Sequence, residues 1–173
     1  MIRVLSALVV AAVAALAAWL GRRYFALRGT RLVECPETKA PAAVDIHAAR
    51  ATLGQPFSLS DCSRWPEKQS CGRECLMQIE RAPADCLVRS VVTKWYAGKN
   101  CAACHRPLGE LDWLERKPGL VDASGRARPW PDVPPEQLPE ALASHQPICF
   151  DCYVAATFRR ERPDMVLDNP WKP

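Results

Sequence analysis

Apolar residues are concentrated at the start of the chain and only intermittent after it. From residue 4 to residue 20 the sequence reads "VLSALVVAAVAALAAWL" without a charge. At about 1.5 Å per residue this run spans roughly 26 Å as a helix, enough for a transmembrane segment. Trp19 and Tyr24 suit an interfacial aromatic belt. A cleaved signal peptide is the alternative, with Ala15-Leu16-Ala17 as its cleavage site. Trp19 and the arginine pair directly after the run favour a retained anchor.

Beyond the anchor the pattern predicts short elements. "RLVECPETKAPAAVDI" reads as a hairpin turning at Pro36-Glu37-Thr38-Lys39. "HAARATLG" predicts a helical stretch closed by Gly54, and "PFSLSDC" alternates like a strand. Cys71 and Cys75, four apart, predict one shared helix face. A helix opened by Pro83 and Asp85 carries the stripe Leu87, Val88, Val91, Val92, Trp95, Tyr96 and stops at Gly98. That stripe predicts core packing. "ELDWLE" and "GLVDASGRARPW" read as strands, the second turning at Ser124-Gly125. A Pro-rich connection leads to a short helix near Pro139. "CFDCYVAATFRRERP" predicts a longer helix, with Asp151 at its positive end and Arg159 and Arg160 at its negative end. The tail reads as irregular.

Charge alters this picture in one respect. The formal charge of +4 misleads, because Arg3, Arg22, Arg23, Arg28 and Arg31 all lie in or beside the apolar run. With these five set apart, 18 basic residues face 19 acidic ones. The body therefore offers no basic surface suited to nucleic acid. One arginine precedes the run and four follow it, which predicts a cytoplasmic body on a bacterial inner membrane. In a reducing compartment thiols bind metals rather than pair with each other.

Nine cysteines in 173 residues then call for an explanation. A body with a limited core needs staples, and an odd count leaves one thiol over in a fully paired disulfide framework. "GKNCAACHRPLGE" contains Cys101-x2-Cys104 followed by His105, the spelling of a c-type haem attachment site and also of half a zinc site. Cys149-x2-Cys152 is its counterpart, and two such pairs supply the four thiolates of a tetrahedral structural zinc. The second pair falls in a helix's first turn, where the dipole favours thiolate. Haem requires export, with His105 as proximal ligand and Met165, Met77 or His145 as distal ligand. Pro107 and Gly109 break the helix that such a site would open.

A Cys-x2-Cys turn, a hairpin and a helix opening on Cys-x2-Cys resemble the treble-clef zinc fold over about residues 99–162. The resemblance implies Cys101, Cys104, Cys149 and Cys152 as zinc ligands. With the elements read along the chain it predicts an α+β fold: a transmembrane helix, then a small metal-stapled body of short hairpins and helices with a treble-clef-like C-terminal half. His105 departs from the glycine that many such knuckles place after the second cysteine. The implied organisation is residues 1–31 as anchor and basic flank, 32–98 as a Cys-rich module, 99–162 as the zinc module and 163–173 as a tail. "CPET", "CSRWPE", "CGRECLMQIE" and "TKWY" also make the whole chain similar to small, Cys-rich, membrane-anchored bacterial proteins, a resemblance that brings no activity with it.

Cys35, Cys62, Cys71 and Cys75 make a candidate second site, with Cys86 as a substitute for one of them. Buried thiols, or disulfides in an exported form, are the alternative. The carboxylates show no acid/base spacing, His47 and His145 stand alone, and no phosphate loop, nucleophile elbow or dinucleotide fingerprint occurs. The expected function is a membrane-anchored, zinc-stabilised, non-enzymatic adaptor that binds a protein partner. Electron transfer through haem or an iron–sulfur cluster, and thiol redox or metal handling, are the rivals.

Overall fold

The computed structural model describes residues 2–65, 67 and 70–165. By its contacts the chain divides into two compact units, Met1–Val91 and Val92–Pro173.

The first unit opens on α1 (Ile2–Leu27), which carries the uncharged run and continues through Arg22 and Arg23. Residues 3–27 are long and apolar enough to cross a membrane, with a mean hydropathy of 2.4 over the most apolar window. Strands β1 (Arg31–Glu34), β2 (Pro41–Ile46) and β3 (Leu59–Cys62) form an antiparallel sheet in that order. The β1–β2 turn is the predicted one. Helix α2 (Ala48–Thr52) lies between β2 and β3, and Gly54 follows it at a φ of 83°. Val33, Val44, Ile46, Leu59 and Ile79 are buried in one core cluster with Cys62 and Cys75.

Two expectations fail here. Cys71 and Cys75 do not share a helix face: Arg73 stands at a φ of 56°, and α3 begins only at Leu76 (Leu76–Arg81). A left-handed residue interrupts the helical repeat that the spacing assumed. The later helix, α4 (Val88–Tyr96), starts after the Pro83–Asp85 stretch instead of with it, because Leu87 pairs as an isolated β-bridge with Arg31.

Arg31, counted from the sequence as a flanking charge, is fully buried. Its guanidinium donates to the carbonyl oxygens of Leu27 at 2.6 Å and Gly29 at 2.9 Å. These contacts satisfy carbonyls at the end of α1 and place a cation at the negative end of its dipole.

In the second unit, β5 (Ala127–Arg128), β4 (Gly119–Val121) and β6 (Gln146–Ile148) form a second antiparallel sheet in that order. Ser124-Gly125 turns the β4–β5 hairpin, with Asp122 accepting from the backbone N–H groups of Ser124 and Arg126. Helix α5 (Leu138–Ser144) precedes β6, and α6 (Phe150–Glu161) follows it. "ELDWLE" forms no strand. Asp112 accepts from the backbone N–H groups of Leu114 and Glu115, a side-chain turn that competes with strand pairing. Strand β6 is absent from the sequence reading, because Pro147 sits at its centre. Pro147 still contributes through its carbonyl, which accepts from Ala102 at 2.8 Å.

Tyr96 anchors this unit. It is almost fully buried, and Trp95, Trp113 and Trp130 meet its ring edge-on. Its hydroxyl donates to the Gly119 carbonyl at 2.5 Å and accepts from Trp130 Nε1 at 3.2 Å.

Candidate metal centre

All nine cysteines are free thiols. Cys101-Ala102-Ala103-Cys104-His105 forms a tight turn. The His105 N–H donates to the Cys101 carbonyl at 2.9 Å, and the Cys101 N–H donates to the Arg106 carbonyl at 2.9 Å. Closing this turn puts His105 at a φ of 59°, which histidine tolerates better than a β-branched residue. The bond from Ala102 to Pro147 ties the turn to β6, and the next residue is Cys149, the N-cap of α6. Cys152 stands in the first turn of α6, on the same end as Cys149.

The four sulfurs converge. Those of Cys101, Cys104, Cys149 and Cys152 all lie within 4.8 Å of one another. The Cys104 and Cys149 sulfurs are 3.9 Å apart, and the Cys149 N–H donates to the Cys101 sulfur at 3.3 Å. A tetrahedral zinc with bonds of about 2.3 Å holds its sulfurs about 3.8 Å apart, so the arrangement fits that ion. Cys101 is fully buried and the other three are half-buried. The cluster is therefore able to hold a metal ion.

Electrostatics separates the four thiols. The Arg106 backbone N–H, then its guanidinium, hold the Cys104 thiol down at about 6. Burial pushes Cys101 up, but hydrogen bonds from the Cys104, Cys149 and Ala103 N–H groups outweigh it and leave that thiol below its ordinary value. Burial raises Cys149, and burial with the neighbouring sulfurs raises Cys152 strongly. So close a set does not ionise completely by itself. A thiophilic cation removes the repulsion, and binding it releases the remaining protons. Arg106, beside Cys104, offsets part of the negative charge of a four-thiolate site.

The haem candidates are placed differently. His105 is exposed at the tip of the turn. Met165 is exposed in a short turn beyond α6, and Met77 is exposed on α3 of the first unit. His145 is half-buried, its Nδ1 2.9 Å from the Ser144 hydroxyl.

Of the remaining cysteines, Cys35, Cys62, Cys71 and Cys75 line one cavity of about 140 Å³ in the first unit. Burial, and then the nearby thiols of Cys62, Cys71 and Cys35, raise Cys75. Cys86 is elsewhere: its thiol faces the Gln78 carbonyl at 3.7 Å, close to the Arg31 guanidinium. Among the described residues, only the 101/104/149/152 set has all its ligand atoms within 4.8 Å.

The sequence reading missed the role of Arg106, although a basic residue directly after the Cys-x2-Cys-His run was visible. It also missed Pro147, whose carbonyl positions the turn. Comparison with known proteins finds no matching family model, no matching curated protein and no matching solved structure.

Proposed function

We propose that this protein is a membrane-anchored binding module whose second unit is stapled by zinc on Cys101, Cys104, Cys149 and Cys152. The observation that carries this reading is the convergence of the four sulfurs within 4.8 Å. The order of turn, hairpin and helix with its first-turn cysteine pair supports the treble-clef resemblance. Four thiolates around one zinc leave no open coordination position, which is the arrangement of a structural site. Residues 4–20 cross the bacterial inner membrane, and the body stands in the cytoplasm where its thiols stay reduced. Val154 and Phe158, one turn apart and exposed on α6, give the stapled unit an apolar strip for a protein partner.

Metal analysis of the full chain, purified in detergent, tests the staple. Zinc bound to Cys101, Cys104, Cys149 and Cys152 is expected, and Cys152→Ser should lose that zinc and the near-ultraviolet signal of the tryptophans packed on Tyr96 in the same unit, because metal affinity is folding energy. A Cys152→Ser chain that keeps both sinks the proposal. His105→Gly separates zinc from haem. It relieves a left-handed residue and should leave metal content unchanged while stabilising the turn by about 0.5–1 kcal/mol. A haem protein would lose its iron ligand and its visible spectrum.

A further inference from the structure

The turn at Cys35 repeats the turn at Cys101. The Lys39 N–H donates to the Cys35 carbonyl at 2.8 Å, as His105 does to Cys101. The Cys35 N–H donates to the Ala40 carbonyl at 2.9 Å, as Cys101 does to Arg106. Lys39 has a φ of 56° and His105 a φ of 59°. Residues 35–40 thus repeat the backbone of the Cys101 turn, with Thr38 in the place of the second cysteine.

Three further cysteines line the same space. Cys62 ends β3, Cys75 precedes α3 and Cys71 lies on the loop between them, and all line one cavity with Cys35. Arg64 and Arg73 line it as well. Among the described residues the Arg64 Nε is buried without a hydrogen-bond partner, while its Nη2 pairs with Glu67 at 3.2 Å. An unpaired buried N–H costs free energy, and a four-thiolate centre with net negative charge would compensate it.

We infer that Cys35, Cys62, Cys71 and Cys75 bind a second thiophilic metal centre, built on the Cys35 knuckle and independent of the centre in the second unit. The four residues line a cavity here without their ligand atoms meeting the 4.8 Å spacing that the second unit's set already shows. Binding draws them onto either one zinc ion or an iron–sulfur cluster, which share the four-thiolate ligand chemistry.

The test uses the full chain, purified anaerobically in detergent, with zinc, iron and acid-labile sulfide measured per chain. The inference expects a centre beyond that of the second unit: a second zinc, or iron with sulfide and visible absorption. Cys35→Ser should remove only this centre, Cys101→Ser only the other, and Cys86→Ser neither. Alkylation of the native wild-type chain covers the event that Cys35→Ser fails to fold. The half-buried Cys35 and Cys71 should resist labelling until a chelator is added. One centre per chain whose content Cys35→Ser leaves unchanged, or Cys35 and Cys71 labelled equally fast with and without chelator, would overturn the inference.

Discussion

Single residues carry most of the energetic specificity of the second unit. Tyr96 stands out because its phenol is buried, donates to a backbone carbonyl and is ringed by tryptophans. Burial raises its ionisation above the ordinary value near 10, against a smaller opposing effect of Trp130. The folded state therefore holds this proton more tightly than the unfolded chain. Its contribution to stability is complete below pH about 10 and is lost as pH rises beyond that. In an alkaline titration followed by phenolate absorbance, one of the three tyrosines should ionise only as the protein unfolds. Tyr96→Phe should remove that late step and leave the Gly119 carbonyl short of a donor, at a cost of about 1–3 kcal/mol. A curve that superimposes on wild type would show the phenol to be exposed. Burial of this tyrosine was legible in the apolar stripe. Its bond to Gly119, 23 residues on, was not. Arg31 teaches the reverse: beside an apolar run it reads as flank charge, and only its carbonyl partners make it an internal cap.

Pairing between elements decides how the four-cysteine cluster assembles. The α6 cysteines reach the knuckle because β6 pairs with β4, Gly119 opposite Ile148, and because Pro147 accepts from Ala102. Gly119 is required here by space. A Cβ at this position would lie 2.6 Å from Tyr153 Cδ2 and 2.9 Å from its Cγ, with the Tyr153 Cβ at 3.2 Å. Rotating the ring does not move its Cβ, so β4 or α6 must shift. Gly119→Ala should destabilise the second unit by about 1–3 kcal/mol, read from chemical denaturation. An unchanged midpoint would mean that β4 and α6 do not pack this closely. Helix α6 was legible because its end charges and following Pro163 agree. Strand β6 was not, because three residues with a central proline give no alternation to read.

For the whole molecule, the apolar helix and the thiol chemistry make a joint claim about compartment. Four free cysteines poised for metal are consistent with a reducing environment. With Arg31 buried, Arg22, Arg23 and Arg28 remain as the exposed charges behind the apolar run, against Arg3 and the α-amine before it. The asymmetry is smaller than the sequence count but keeps its sign. A phosphatase that works only outside the cytoplasm, fused after Pro173, should be inactive, while a fluorescent protein there should be bright. The opposite pair of results would place the body outside and favour the haem or disulfide chemistry.

Local sequence by itself determined the apolar helix, the hairpin at Pro36–Lys39, the turn at Ser124-Gly125 and the cysteine-capped helix α6. Each follows from interactions within a few residues: hydropathy, turn preference, capping and dipole. Tertiary structure alone decided that sulfurs 45 residues apart stand 3.9 Å from each other, that Arg31 is internal, and that Cys71 and Cys75 reach their cavity from a loop and a helix start instead of one helix face. Those outcomes depend on strand pairing and burial across long separations. Spacing along the chain does not encode the loop-closure and packing free energies that select them.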